Sequence, residues 1–149
     1  MGTQQSSERR EAHYRRIFAE LQENRYRDAV SNQSLAAVWN FPDYQPFPDH
    51  KHRSLHGKWF IVRNNWALRS GLMQSAGYPL IEEHEKPGSN GCSCFFEYTA
   101  SPRCLPDAMI TPAGRIWISK VRMANPEVAP PSQTKTSWLS QWTARLACR

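Results

Sequence analysis

The sequence predicts an α+β fold: an N-terminal helix, a small and mostly antiparallel sheet, a proline-rich connector and an extended C-terminal arm. Three observations carry that prediction. The first is a charged N-terminal segment with helical periodicity. The second is a set of short β-forming stretches bounded by turn residues. The third is a supply of eleven prolines against seven glycines, which favours many loops and few long elements. The chain has 149 residues, 40% of them hydrophobic, with six Trp, six Phe and five Tyr, enough for one real core plus terminal extensions. A net charge of +6 favours nucleic acid or an acidic protein surface as a neighbour. The polar start "MGTQQSSERREAH" does not read as a secretory signal, and no apolar run approaches the ~20 residues of a membrane span.

Residues 1–33 are expected to form a helical arm. In "SSERREAHYRRIFAELQENRYRDAVSNQ", Tyr14, Ile17, Phe18 and Leu21 recur at helical spacing and predict one apolar stripe. Ser7 suits the N-cap, with Glu8 and Glu11 in the first turns where the helix dipole favours negative charge. Arg9, Arg10, Arg15 and Arg16 lie on the other faces, either as a solvated surface or as a contact for DNA or an acidic neighbour.

Residues 34–124 are expected to form the α+β core. "SLAAVWNF" reads as a short second helix capped by Ser34. Pro42, Pro46 and Pro48 then force an extended or turning path. "GKWFIVRN" is the clearest strand, bounded by Gly57 and Asn64-Asn65. "NNWALRSG" reads as a short helix ending at Gly71, and "EEHEKPGSNG" as a loop. "CSCFFEYT" reads as a second strand, "ASPRCLPDAMITPAG" as turns, and "RIWISKVRM" as a third strand because its apolar and polar positions alternate. Residues 125–149 read as a linker and arm, in which Trp138 and Trp142 are candidate anchors on a core or a partner subunit.

The chemistry-bearing residues cluster in two places. "DHKHRSLHG" holds three histidines within seven positions, and Cys92 and Cys94 form a C-x-C pair with Cys104 ten residues on. The four cysteines, in a chain without a signal, are expected to be thiols or ligands rather than disulfides. His56, Cys92, Cys94 and Cys104 form a candidate zinc set, since thiolates with imidazole suit a closed tetrahedral site. Against it, a C-x-C pair inside a strand points its thiols to opposite faces. A metal-dependent nuclease of the kind that opens on Asp-His is the weaker alternative, with Asn64 or Asn65 and His84 as its later residues.

The order of these features resembles the C-terminal domain of the Mu-type phage head morphogenesis proteins, also called minor head proteins. The likeness runs through Asp49, then "RSLHG" with Arg53 and His56, then "KWFIVRNNW", "YPLIEEHEKPGSNG" and finally Cys92-Ser93-Cys94-Phe95, about residues 36–98. It implies a non-enzymatic virion component acting in head morphogenesis, head–tail connection or capsid decoration. It further implies portal, capsid or connector subunits as partners, packaged DNA nearby, and assembly in the host cytoplasm. Within that reading Asp49, Arg53 and His56 are expected to form a buried polar cluster ahead of the strand. Cys92 and Cys94 then serve as small strand residues, or as zinc ligands if the sheet brings His56 alongside. A zinc-stabilised nucleic-acid-binding module is the alternative.

Overall fold

A computed structural model describes residues 2–43, 52–89 and 92–124. The fold is α+β, with three helices and a three-stranded antiparallel sheet among the described residues. Helix α1 spans Gly2–Ser31, and strand β1 spans Ala36–Asn40. Strand β2 is Trp59–Ile61, helix α2 is Trp66–Arg69, strand β3 is Phe95–Thr99, and helix α3 is Pro112–Ala124. The strand order is β2-β1-β3, so β1 is central. Ala36 faces Ile61 on one side and Thr99 on the other, and Asn40 faces Phe95.

That central place explains one departure from the sequence reading. "SLAAVWNF" is a strand, not a capped helix. Alanine prefers helix only weakly, whereas Leu35, Ala36, Ala37 and Trp39 are all fully buried. A central strand covered on both faces is a continuous apolar run and shows no alternation. Ala36 and Ile61 face a cluster with Ala67, Met73, Met109 and Ile110. Ala37, Trp39, Phe60 and Phe96 face a second cluster with Ile81, Cys92 and Cys94. The small size of Ala36 and Ala37 lets both layers approach the strand.

"RIWISKVRM" departs in the other direction and is helical. Thr111 accepts the Gly114 N–H at 3.1 Å, and Pro112 occupies the first helical position, where its missing N–H costs nothing. Gly114, Trp117, Ile118 and Val121 then turn inward, while Ile116 stays exposed. The apparent alternation was a short-window coincidence within a period of 3.6. Gly114 is required there, because a Cβ would lie 2.1 Å from the Leu72 carbonyl oxygen. Trp117 packs on Trp66, their rings 5.9 Å apart, joining α3 to α2. The short helix at Trp66–Arg69 ends before Gly71 as expected, capped by Asn65.

Helix α1 begins before Ser7, which therefore lies inside the helix and not at its cap. Its apolar stripe is also rotated from the expected one. Tyr14, Ile17 and Leu21 are exposed, and the face that meets the core carries Phe18, Gln22, Tyr26 and Ala29. Those positions recur every three or four residues, but two of them are polar or amphipathic and masked the seam. The helix stops at Gln33, whose φ of 60° lets Ser34 N–H reach back to the Ala29 carbonyl at 2.9 Å.

Candidate metal centre

The aromatic layer of the sheet holds a buried trio: His52, Cys92 and Cys94. Their ligand atoms all lie within 4.8 Å of one another. The side chains are 2%, 1% and 1% exposed. His52 precedes a tight turn at Arg53–Leu55, and that turn is fastened to the end of β1. Gly57 N–H donates to the Trp39 carbonyl at 2.8 Å, and Trp39 N–H donates to the Lys58 carbonyl at 2.9 Å. Gly57 takes a φ of 78°, a conformation its missing Cβ permits. Leu55, three residues after His52, packs on the same cluster. In a turn of three residues, positions i and i+3 eclipse, so His52 and Leu55 enter the core together.

Cys92 and Cys94 approach from the other direction. They precede β3, which begins only at Phe95, so the alternation of a strand does not hold them apart. Both thiols enter the same cluster. This corrects the expectation that a C-x-C pair must face opposite ways.

The His52 Nδ1 atom is 3.1 Å from the Cys92 sulfur, and the Gly88 N–H donates to that sulfur at 3.3 Å. A hydrogen bond from the Cys94 thiol draws the Cys92 thiol down to about 5, helped by His52 and Gly88. The same hydrogen bond, with burial, pushes the Cys94 thiol up. The two opposite shifts share one cause, the hydrogen bond between the two thiols. On the far side of the ring, His52 Nε2 lies 3.4 Å from Glu85 Oε2. A metal-bound histidine typically directs its second nitrogen at a carboxylate in this way. The Trp39 indole N–H is buried without a partner at hydrogen-bond distance, yet it is near enough to Cys94 to favour the thiolate there.

These residues fit a soft divalent ion. Zinc bonds of ~2.3 Å to sulfur and ~2.0 Å to nitrogen place tetrahedral ligand atoms roughly 3.5–3.8 Å apart. The trio's ligand atoms lie within 4.8 Å of one another and would supply three of the four positions of such a site. Thiolate and imidazole exclude calcium and magnesium, which take oxygen ligands. The backbone N–H on the Cys92 sulfur and the orphaned indole N–H beside Cys94 are donors suited to thiolates.

The trio differs from the expected zinc set. His56 is exposed, and its Nδ1 accepts the Phe41 N–H at 3.1 Å. Cys104 sits in the turn at Pro102–Cys104 and is disulfide-bonded, so it offers no thiolate and departs from the expectation of free thiols. The expected buried cluster of Asp49, Arg53 and His56 is corrected likewise. Arg53 is exposed, its guanidinium 5.9 Å from the centre of the Phe41 ring. Arg53 and His56 clip the turn to the end of β1 from outside, while His52 enters the core. Asp49, Trp138 and Trp142 lie outside the described residues. Asn65 is a helix cap, and His84 packs edge-on against Phe60 at 4.8 Å. Arg9, Arg10, Arg15 and Arg16 are exposed on α1, Arg15 paired with Glu11.

Comparison with protein-family models, with curated proteins and with solved structures finds no match. Among the described residues no helix is long and apolar enough to cross a membrane.

Proposed function

We propose that the chain is a non-enzymatic bacteriophage virion component, acting in head morphogenesis, head–tail connection or capsid decoration, with a core closed by a structural zinc on His52, Cys92 and Cys94. One observation carries the reading. The histidine-rich turn and the Cys-x-Cys stretch, 40 residues apart in sequence, meet at one buried point. That contact runs through His52, while Arg53 and His56, which carry the resemblance to the minor head proteins, lie on the outside of the same turn. Burial favours a structural over a catalytic ion: the three ligands are buried with Trp39 packed against His52, and a fourth ligand would complete the closed tetrahedron that such an ion takes. Attachment is served by the outer face of α1, where Tyr14, Ile17 and Leu21 stand 41–43% exposed among arginines. Such aromatic and aliphatic positions anchor subunit contacts, and the arginines suit an acidic subunit surface or packaged DNA.

The test is mass spectrometry of purified particles from the genome that encodes the chain, with metal analysis of the purified protein. The reading expects the chain in the particle and one zinc per chain. Particles that lack the chain, or plasmid cleavage by the protein with magnesium, manganese or zinc, would overturn it. The zinc-stabilised nucleic-acid module is favoured instead if zinc is stoichiometric, the chain is absent from particles, and DNA affinity falls with salt through Arg9, Arg10, Arg15 and Arg16.

A further inference from the structure

We propose that metal occupancy of the His52–Cys92–Cys94 site governs the docking of α1 on the core, so that the same loop serves the ion and the helix. The inference rests on the zinc reading above and adds a consequence to it.

The segment from Glu82 to Gly88 has two sets of contacts. One set reaches the site: Glu85 meets His52, and the Gly88 N–H meets the Cys92 sulfur. The other set reaches α1. Tyr26 Oη donates to Glu82 Oε1 at 2.5 Å, and Lys86 Nζ donates to Glu23 Oε2 at 2.5 Å. The Lys86 ammonium also sits 5.0 Å from the Tyr26 ring centre. Gly88 presses against the helix backbone so closely that a Cβ would lie 2.9 Å from the carbonyl carbon and oxygen of Phe18. Gly88 therefore does two jobs at once. Its N–H faces the sulfur and its bare Cα faces the helix, at a φ of 83°.

The contacts interleave along the loop: Glu82, Lys86 and the Gly88 Cα reach the helix, and Glu85 and the Gly88 N–H reach the site. An ion that draws Cys92, Cys94 and His52 together fixes the positions of Glu85 and Gly88. It thereby fixes the seat on which Phe18, Glu23 and Tyr26 rest. Without the ion the loop loses its inner anchor, and the helix loses the seat. The helix half that carries Tyr14 and Ile17 has no buried residue at positions 4–17, so its direction is set by the docked turns 18–29. Metal loading would then orient the outer face of α1 toward a neighbouring subunit.

Linkage supplies the test, because coupling between two sites is reciprocal in affinity. Zinc affinity of the full chain is measured by competition with a chromophoric chelator, for the parent, Lys86→Ala and Arg63→Ala. Lys86 touches no metal ligand, and the Arg63 side chain pairs with Glu83 in the same segment, while its backbone N–H, which meets Glu82 Oε1, survives substitution to alanine. Lys86→Ala is expected to weaken zinc about fivefold or more, with Arg63→Ala unchanged. Amide exchange at residues 18–26 is expected to accelerate on zinc removal more than exchange in β1. Stoichiometric zinc with an unchanged affinity in Lys86→Ala overturns the coupling and leaves the zinc reading standing. Equal weakening by both substitutions overturns it too, since loop stiffness alone would then account for the effect. Absence of bound zinc in the parent overturns both readings together.

Discussion

Replacing Asn65 with Ala tests how α2 is joined to the sheet. Asn65 is 7% exposed and its side chain makes four hydrogen bonds, one of them to the Met73 sulfur. Its Oδ1 accepts the Leu68 N–H at 3.0 Å and so caps α2. Its Nδ2 donates to the Val62 carbonyl at 2.9 Å and to the Leu35 carbonyl at 3.1 Å, just beyond β2 and just before β1. Loss of an N-cap costs about 1 kcal/mol. Each buried hydrogen bond lost adds about 1 kcal/mol. The Leu35 carbonyl keeps a second donor, the Val62 N–H at 3.0 Å, which softens one of these losses. The expected total is roughly 2–3 kcal/mol, a large share of the 5–15 kcal/mol that is usual for a domain. Urea unfolding followed by circular dichroism should show a lower midpoint at an unchanged slope. Asn65→Asp sharpens the test. It keeps the cap acceptor but sets a carboxylate against two carbonyls, so at neutral pH it should be at least as damaging as Ala and should recover on acidification. A cost below about 1 kcal/mol for Ala, or an Asp variant milder than Ala at neutral pH, would refute the reasoning.

Gly114→Ala should destabilise by about 1–3 kcal/mol through overpacking against the Leu72 carbonyl, although alanine normally improves a helix; a neutral or higher melting temperature would contradict that close approach. Tyr26 is pushed up to about 12, first by desolvation and then by its hydrogen bond to Glu82. Because this pKa is raised on folding, its contribution is complete below the unfolded value of 10.0 and is lost as pH rises through about 12. Burial pushes Tyr98 up as well, so a near-ultraviolet titration should contain late tyrosine absorbance from both residues, and Tyr26→Phe should remove the part that belongs to Tyr26. Glu23 is held below its ordinary value by its hydrogen bond to Lys86, so its contribution is present above 4.5 and is lost as pH falls through the lowered value. Glu23→Gln should flatten the acid side of the stability profile, and an unaltered profile would remove that ion pair from the account. Gln33→Gly relieves a left-handed φ of 60° and should stabilise the end of α1 by about 0.5–1 kcal/mol, read from thermal unfolding.

What was legible in the sequence followed from local rules. Strand β2 announced itself through Trp59-Phe60-Ile61 between turn residues, α2 through Asn65 and Gly71, and β3 through Phe95-Phe96. Strand β1 was obscured because a strand buried on both faces loses its period, and Ala36-Ala37 then resemble a helix. Helix α3 was legible in principle from Thr111-Pro112, a cap followed by a helix-starting proline, but a four-residue alternation outweighed it. The candidate site was half legible. Cys92 and Cys94 were candidates from composition, whereas the choice of His52 over His56 needed the turn between them. The eclipsed pair His52 and Leu55 was the available signal. Glu85, Gly88 and Trp39 carried no signal, because their roles depend on contacts that only the tertiary fold creates.

The site's position explains why a metal would be worth its ligands here. Strand β2 is three residues long, and the sheet has three strands, a small platform for chain segments that arrive as turns. Small cores gain stability from disulfides or structural metals because apolar burial alone leaves little margin. Trp39 is the hub: its ring lies 4.9 Å from His52, 5.2 Å from Phe96 and 5.9 Å from Phe60. An ion beside it would tie the turn after β1 to the entry of β3, two segments that the strand pairing leaves unconnected at that end. His52→Ala should therefore cost more than a cavity of its size. It would remove a ligand, leave Cys92 and Cys94 without the imidazole, and loosen Glu85 and the loop beneath α1. The double substitution Cys92→Ala/Cys94→Ala would remove the ion and its thiolates together. If the ion matters as argued, His52→Ala and the double substitution should be nearly equal in stability, and zinc should rescue neither. A double substitution far more stable than His52→Ala would mean that the thiols, and not the lost ion, dominate the cost.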